Sequence, residues 1–292
     1  MSALMGAVGI AYSLSSLWGH SWREWSDGIG VMLGVAAVLA AHAYWNDLHE
    51  TTVLARLGVQ VVAGTIAVLG ARLTLDRAAL PLGPLALPVS VLALVWMMNL
   101  YNFMDGMDGF AAGMTVVGFA VLGGFFFRGG QPVFGWVSFF IVGAGAGFLV
   151  HNFPPARIFL GDAGSVPLGF LAGFLSLLGL RQGLFDPWVP VLIFSPFVVD
   201  ATLTLGRRLL QGERVWRAHR DHYYQRLVLA GWGHRRTVLA EYVLMLASGA
   251  TAAVYVRVNT TIQVCLLWLW ASIYCSCMYF VHRQEAGRSR RP

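Results

Sequence analysis

The 292-residue chain contains no lysine; all 20 of its basic residues are arginine. Charge of either sign is scarce, at 12% of residues, where a soluble domain carries about 25%. That shortage excludes a water-exposed globule of ordinary composition. Cysteine is nearly missing too. Cys265, Cys275 and Cys277 share one apolar run near the C-terminus, and an odd number in such a run fits neither a disulfide framework nor a zinc site. They read as small apolar residues. Repeats, low-complexity tracts and a separate soluble domain are also lacking. The first apolar run has neither the basic leader nor the cleavage site of a secretory signal.

What fills the chain instead is apolar, 57% of all residues. A membrane helix needs about 20 predominantly apolar residues. Such runs lie at 3–19, 28–45, 53–71, 85–103, 109–127, 131–150, 164–180, 187–206, 237–256 and 261–281. The expectation is an all-α, polytopic integral membrane protein of about ten transmembrane helices, forming one domain over 1–292.

Arginine placement sets the orientation. A net charge of +6 is compatible with nucleic-acid binding, but the charges lie beside membrane spans, and no nucleic-acid partner is expected. The connection 207–236 holds Arg207, Arg208, Arg214, Arg217, Arg220, Arg226, Arg235 and Arg236, and the tail "HRQEAGRSRRP" adds more. Positive charge marks the cytoplasmic side of a membrane protein. The segments 46–52, 99–109, 151–163 and 207–236 then all emerge on the cytoplasmic face.

Ionisable side chains near membrane spans are costly and tend to line a cavity or a site. On that face stand Asp47, Glu50, Asp105, Asp108, Asp162, Asp200, Glu213 and Asp221. Four polar stretches converge there, which suggests one shared cleft. In "NLYNFMDGMDGFAAG" (99–113), a helix would place Asn99 and Asn102 on one face, and the glycines of "DGMDG" then break it. Asp105 and Asp108 with nearby amides suit a hard cation such as magnesium, which takes one or two carboxylates plus water and phosphate oxygens. An ordinary turn with solvated aspartates is the plainer reading. "HNFPPARIFLGDAGSVPLG" (151–169) offers Asp162 and Ser165 at a helix start, where backbone N–H groups meet phosphates or merely form a cap. Phe159 suits stacking on a nucleobase as well as packing. "YWNDLHETTVLARLGVQ" (44–60) carries Asp47. "RAHRDHYYQRL" (217–227) mixes arginine with histidine; arginine's planar fork matches phosphate oxygens, although basic loops also serve topology alone. His20, His42 and His151 read as interfacial residues.

Taken together, these stretches resemble the polyprenyl-phosphate N-acetylhexosamine-1-phosphate transferases, relatives of the phospho-N-acetylmuramoyl-pentapeptide transferases. "NLYNFMDGMDGFAAG" is similar to the family's N-x-x-N-x-x-D-G-x-D-G-L-A, and "FLGDAGS" to F-M-G-D-x-G-S. "AHRDHYYQRL" resembles the H-R-x-H-x-Y-Q-R-L form of the histidine loop found in the O-antigen and capsule branch. The ordered set extends from about residue 40 to 240. The resemblance implies transfer of a sugar-1-phosphate from a UDP-sugar to undecaprenyl phosphate, with release of UMP. The donor is an N-acetylhexosamine or its 6-deoxy form, and the product starts a glycan such as O-antigen. Magnesium is the implied cofactor, with manganese as an alternative. The setting is a multi-pass protein of the bacterial inner membrane with its site facing the cytoplasm; membrane lipid surrounds it, and the apolar surface leaves room for a homodimer.

The same resemblance assigns roles. Asp162 matches the metal-binding acid, Asp105 and Asp108 match acids of the nucleotide and metal site, and Asn99 and Asn102 stand beside them. Phe159 matches an aromatic on the uracil ring. His222 matches the retained loop histidine, Arg220 and Arg226 its basic companions near the phosphates, and Asp47 the second acid of an Asp pair. Two departures stand out. Asn46 replaces the first acid of that pair, and the family's further N-terminal helix and "P-T-P-R-G-G-G"-like loop do not precede "GAVGIAYSL". A catalytically impaired relative that binds lipid phosphate is therefore one alternative. A transporter of an anionic substrate is the other, although transporters place charge near the midplane of interrupted helices and carry internal repeats.

Overall fold

Inside hydrocarbon every peptide N–H and C=O must bond within the protein, which leaves helices or closed barrels. A computed structural model, describing residues 22–49, 51–75, 82–213 and 219–288, takes the helical solution, with no strand among the described residues. The helices are α1 (Trp22–His49), α2 (Val53–Gly70), α3 (Ala86–Met104), α4 (Phe110–Arg128), α5 (Pro132–Asn152) and α6 (Gly161–Arg181), then α7 (Trp188–Ile193), α8 (Ser195–Leu210), α9 (Tyr223–Leu227), α10 (Gly233–Tyr255) and α11 (Thr260–Arg288). Eight helical stretches among the described residues are long and apolar enough to cross a membrane. They coincide with eight of the expected runs, and the protein is a multi-pass membrane protein. The run expected at 3–19 lies outside the described residues.

Two expectations need correction. The run at 187–206 is not one helix. It breaks at Phe194 into α7 and α8, because Pro196 has no N–H to donate and its ring crowds the carbonyl one turn back. The Leu192 carbonyl freed in this way accepts the Ser195 hydroxyl instead, at 2.8 Å. The run expected to begin at 237 reaches back to Tyr223, through a wide turn at Val228–Trp232 in which Gly231 takes φ +105°.

Helix α6 is the axis of the bundle. Its span is the most enclosed of the eight, and both α1 and α3 pack along it, while α4 pairs with α5. The α3–α6 contact depends on Gly169. A Cβ built there would lie 2.4 Å from the Met97 carbonyl oxygen, so backbone meets backbone. That approach brings Asn102, near the end of α3, to the first turn of α6. Gly169→Ala is expected to cost about 1–3 kcal/mol by overpacking, read as a lower unfolding temperature in detergent. An unchanged temperature would show that the two helices separate freely.

Below the turn that follows α3, aromatic rings join four helices. Tyr101 meets Phe197 edge-on at 5.2 Å between centroids, and Phe110 meets both Phe197 and Tyr224 at 4.9 Å. Tyr101, Phe110, Phe197 and Tyr224 are all buried. Such pairs add about 0.5–1.5 kcal/mol each beyond burial, and they give the polar residues above a rigid floor.

Candidate active site

Each α-helix leaves its first four N–H groups without partners inside the helix, and its start attracts negative charge. The start of α6 uses both properties. Gly161, at φ +65°, donates its amide to Asp105 Oδ2 at 3.1 Å. The Asp47 carboxylate lies within reach of the Ala163 amide and against Gly161. Asp162, in the same first turn, accepts from Asn102 Nδ2 at 2.5 Å and pairs with Arg56 Nη1 at 3.2 Å. Asn102 Nδ2 also donates to Ser165 Oγ, at 3.2 Å. Four expected residues, Asp47, Asn102, Asp105 and Asp162, thus meet at one helix start.

Their electrostatics leave negative charge in excess. The charge of Asp162 acts on both Asp47 and Asp105, and Arg56 is the one cation paired with them among the described residues. Burial first, then the Asp162 charge, pushes Asp105 up to about 7, although the Gly161 amide pulls the other way. Among the described residues no group of three or more His, Cys, Asp and Glu is arranged to hold a metal ion by itself. Magnesium needs none, because it keeps waters or substrate phosphates on one or two carboxylates. Asp105 and Asp162, with Asp47 beside them, fit such an open site.

A raised carboxyl has a definite pH signature. The folded state holds the Asp105 proton up to about 7, whereas the unfolded chain releases it near 4. Between those values the folded state binds more protons, so this group's contribution to stability falls as pH rises. A divalent ion, which favours the ionised form, is expected to raise the unfolding temperature more at pH 8 than at pH 6. Asp105→Asn should remove that difference, and an equal magnesium effect at both pH values would contradict the assignment.

The second half of the site docks on the turn 105–109. The Tyr224 hydroxyl donates to the Phe103 carbonyl at 3.0 Å, and a Cβ on Gly106 would meet that hydroxyl at 2.3 Å; only glycine admits the tyrosine. Tyr224 lies within electrostatic reach of Asp105 on one side and Asp200 on the other. Asp200 holds the histidine loop. It accepts from His222 Nδ1 at 3.1 Å, from the Tyr223 and Tyr224 amides at 3.0 Å each, and from the Thr204 hydroxyl at 3.1 Å. An ionised carboxylate can only accept, so Nδ1 carries hydrogen and Nε2 is the nitrogen left for chemistry. His222 is buried, with its ring 6.0 Å from that of Phe103 and 4.9 Å from that of His219.

Other expected residues take different places. Asp108 accepts the Ala156 amide at 3.1 Å and faces His234 Nδ1 at 3.2 Å, so it ties the 153–158 turn to the start of α10. Asn99 donates to Gln60 Oε1 at 2.7 Å, joining α3 to α2. Phe159 is 77% exposed, two residues before the α6 start. Arg220 is exposed in the histidine loop. Arg226 pairs with the Glu285 carboxylate of α11, at 2.7 and 2.5 Å, and with His282 at 2.8 Å, rather than with the acids at the α6 start. Asn46 is buried and accepts from the Thr51 amide at 3.1 Å and from its hydroxyl; it closes the α1–α2 turn, while Asp47 faces α6.

Three residues placed at the site were given no role from the sequence, although Asp200 stood among the acids of that face. Arg56 is a lone charge one turn into an apolar helix, Asp200 a lone acid in "SPFVVDATLTLG", and His234 follows the loop. The first two carried a legible signal, since each is an isolated charge at a span end.

A family model for glycosyl transferase family 4 matches residues 29–180, the segment that carries all four residues at the α6 start. The chain belongs to glycosyl transferase family 4. Among similar proteins is the "probable undecaprenyl-phosphate N-acetylglucosaminyl 1-phosphate transferase" of Bacillus subtilis, 29% identical over 246 residues, covering 74% of this chain and 69% of that protein. A phospho-N-acetylmuramoyl-pentapeptide-transferase of Synechococcus is 32% identical over 223 residues, 73% of this chain and 57% of its own. A decaprenyl-phosphate N-acetylglucosaminephosphotransferase of Mycobacterium tuberculosis is 28% identical over 300 residues, 90% of this chain and 72% of its own. In this family-4 chain, the His222 loop and its Asp200 anchor lie beyond the matched segment, yet they pack directly on it.

Proposed function

We propose that this family-4 protein transfers a sugar-1-phosphate from a UDP-sugar to undecaprenyl phosphate, giving undecaprenyl-diphospho-sugar and UMP. The sugar is an N-acetylhexosamine or its 6-deoxy form, and the product initiates a cell-surface glycan such as O-antigen. The setting is the bacterial inner membrane, with the site at its cytoplasmic face. The observation that carries the reading is the gathering of Asp47, Asp105 and Asp162 with Asn102 and Arg56 at the α6 start. The names of the relatives agree with it, and the arginines beside the histidine loop favour the cytoplasmic side.

In this reaction a lipid phosphate oxygen attacks the β-phosphorus of the UDP-sugar, and the bond from that phosphorus to the bridging oxygen of UMP breaks. Phosphoryl transfer asks for positioning and charge neutralisation more than for covalent help. Mg2+, held by Asp105 and Asp162 with Asp47 beside them, would offset the negative charge of the diphosphate as UMP leaves. Arg56 and Asn102 keep the Asp162 carboxylate oriented. His222, fixed by Asp200 through Nδ1, presents Nε2 to a phosphate oxygen or to the proton it carries. Exposed Phe159 offers a ring face to the base of the donor.

The test incubates membranes containing the full chain with undecaprenyl phosphate, Mg2+ and labelled UDP-N-acetyl sugars. Chelator-sensitive lipid-linked sugar with equimolar UMP supports the proposal. Silence with every donor would favour the impaired relative, the reading to which Asn46 points.

A further inference from the structure

A cavity of about 320 Å³ lies where α8, α9, α10 and α11 meet, within the range of about 300–1,000 Å³ typical of small-molecule pockets. It is distinct from the α6 start. Its wall is apolar except for a few groups, and Glu241 of α10 is the one that stands out. None of the described lining residues is basic, and the Glu241 carboxyl has no hydrogen-bond or ion-pair partner among the described residues. Asp200 also borders the cavity, but its oxygens already accept from four donors. Glu241 is therefore the acceptor left for a ligand. A carboxyl inside a membrane segment with no partner marks a site whose partner is still to come.

The remaining wall specifies that partner. Trp232, Tyr274 and Phe280 line the same space. The rings of Trp232 and Phe280 stand edge to face at 5.4 Å, and the Tyr274 hydroxyl is anchored on Ser195 Oγ at 2.6 Å. Aromatic faces around a carboxylate are the chemistry that recognises an ammonium group, and Leu244 and Met278 suit the alkyl body behind it. We propose that this cavity binds an amphiphile with an ammonium head, held by Glu241 and the three rings.

Cys277 lines the cavity and reports on its occupancy. The full chain with Cys265→Ser and Cys275→Ser is placed in phosphatidylglycerol nanodiscs, and modification of Cys277 by N-ethylmaleimide is followed by mass spectrometry. Dodecylammonium is expected to slow the reaction about tenfold, dodecanol far less, and Glu241→Gln should abolish the difference between them. Trp232→Leu should weaken protection while leaving the unprotected rate unchanged, which separates recognition from misfolding. Protection by phosphatidylethanolamine discs alone would assign the ammonium to the bilayer; protection only on adding the amine would assign it to a free ligand. Equal protection by amine and alcohol, or an unchanged response in Glu241→Gln, would overturn the proposal. The readout is independent of sugar transfer, so its failure leaves the proposed reaction standing.

Discussion

Asp162→Asn is expected to lower sugar-phosphate transfer by about 10²–10³-fold, the usual cost of removing one preorganised electrostatic group. The substitution conserves volume, so the bundle should fold as before. Its effect follows from the partners of the carboxylate. One oxygen accepts from Asn102 and the other faces Arg56. An amide would have to turn its NH2 toward one of these two donors, and it removes a charge from the proposed cation site at the α6 start. The loss should appear as reduced lipid-linked sugar in membranes, with an unfolding temperature close to that of the parent. Normal turnover in this variant would refute the role given to Asp162.

His222→Ala should lower kcat by about 10²-fold, the lower range for a lost acid–base group, with little change in KM for the UDP-sugar. The histidine touches the reacting phosphates in this account, whereas the donor would be gripped mainly by Phe159 and through the cation held by the acids. Asp200 acts through it. Asp200→Asn offers either an acceptor or a donor to Nδ1, so it frees the ring to take the wrong tautomer, and the pH profile of kcat should shift while KM holds. The double variant should be no worse than His222→Ala alone, because residues that act as a unit are not additive. Independent, multiplying losses would show that Asp200 serves only to fold the loop.

Much of this architecture was legible in the sequence because lipid imposes a strong rule: a span must be long, apolar and helical. The clustering of Asp47, Asn102, Asp105 and Asp162 was legible in part, since their motifs share one membrane face. What could not be read were the partners. Asp108 and Asp105 look alike in "DGMDG", yet one ties down Ala156 and His234 while the other faces the α6 start. Arg226 resembles a phosphate ligand in the loop, but Glu285 at the far end of the chain takes it, a pairing fixed only when α11 returns beside α9. The break at Phe194 was the opposite case. Pro196 announced it, and the continuous hydropathy of the run concealed it.

The most direct measurement is Mn2+ binding to the purified full chain, read by the loss of the free-ion electron paramagnetic resonance signal in the presence of a UDP-sugar. One ion per chain is expected, displaced by Mg2+ and weakened at least tenfold in the Asp105→Asn, Asp162→Asn double variant, about 1.4 kcal/mol or more. Equal Mn2+ binding by the parent and the double variant would contradict a cation site at the start of α6.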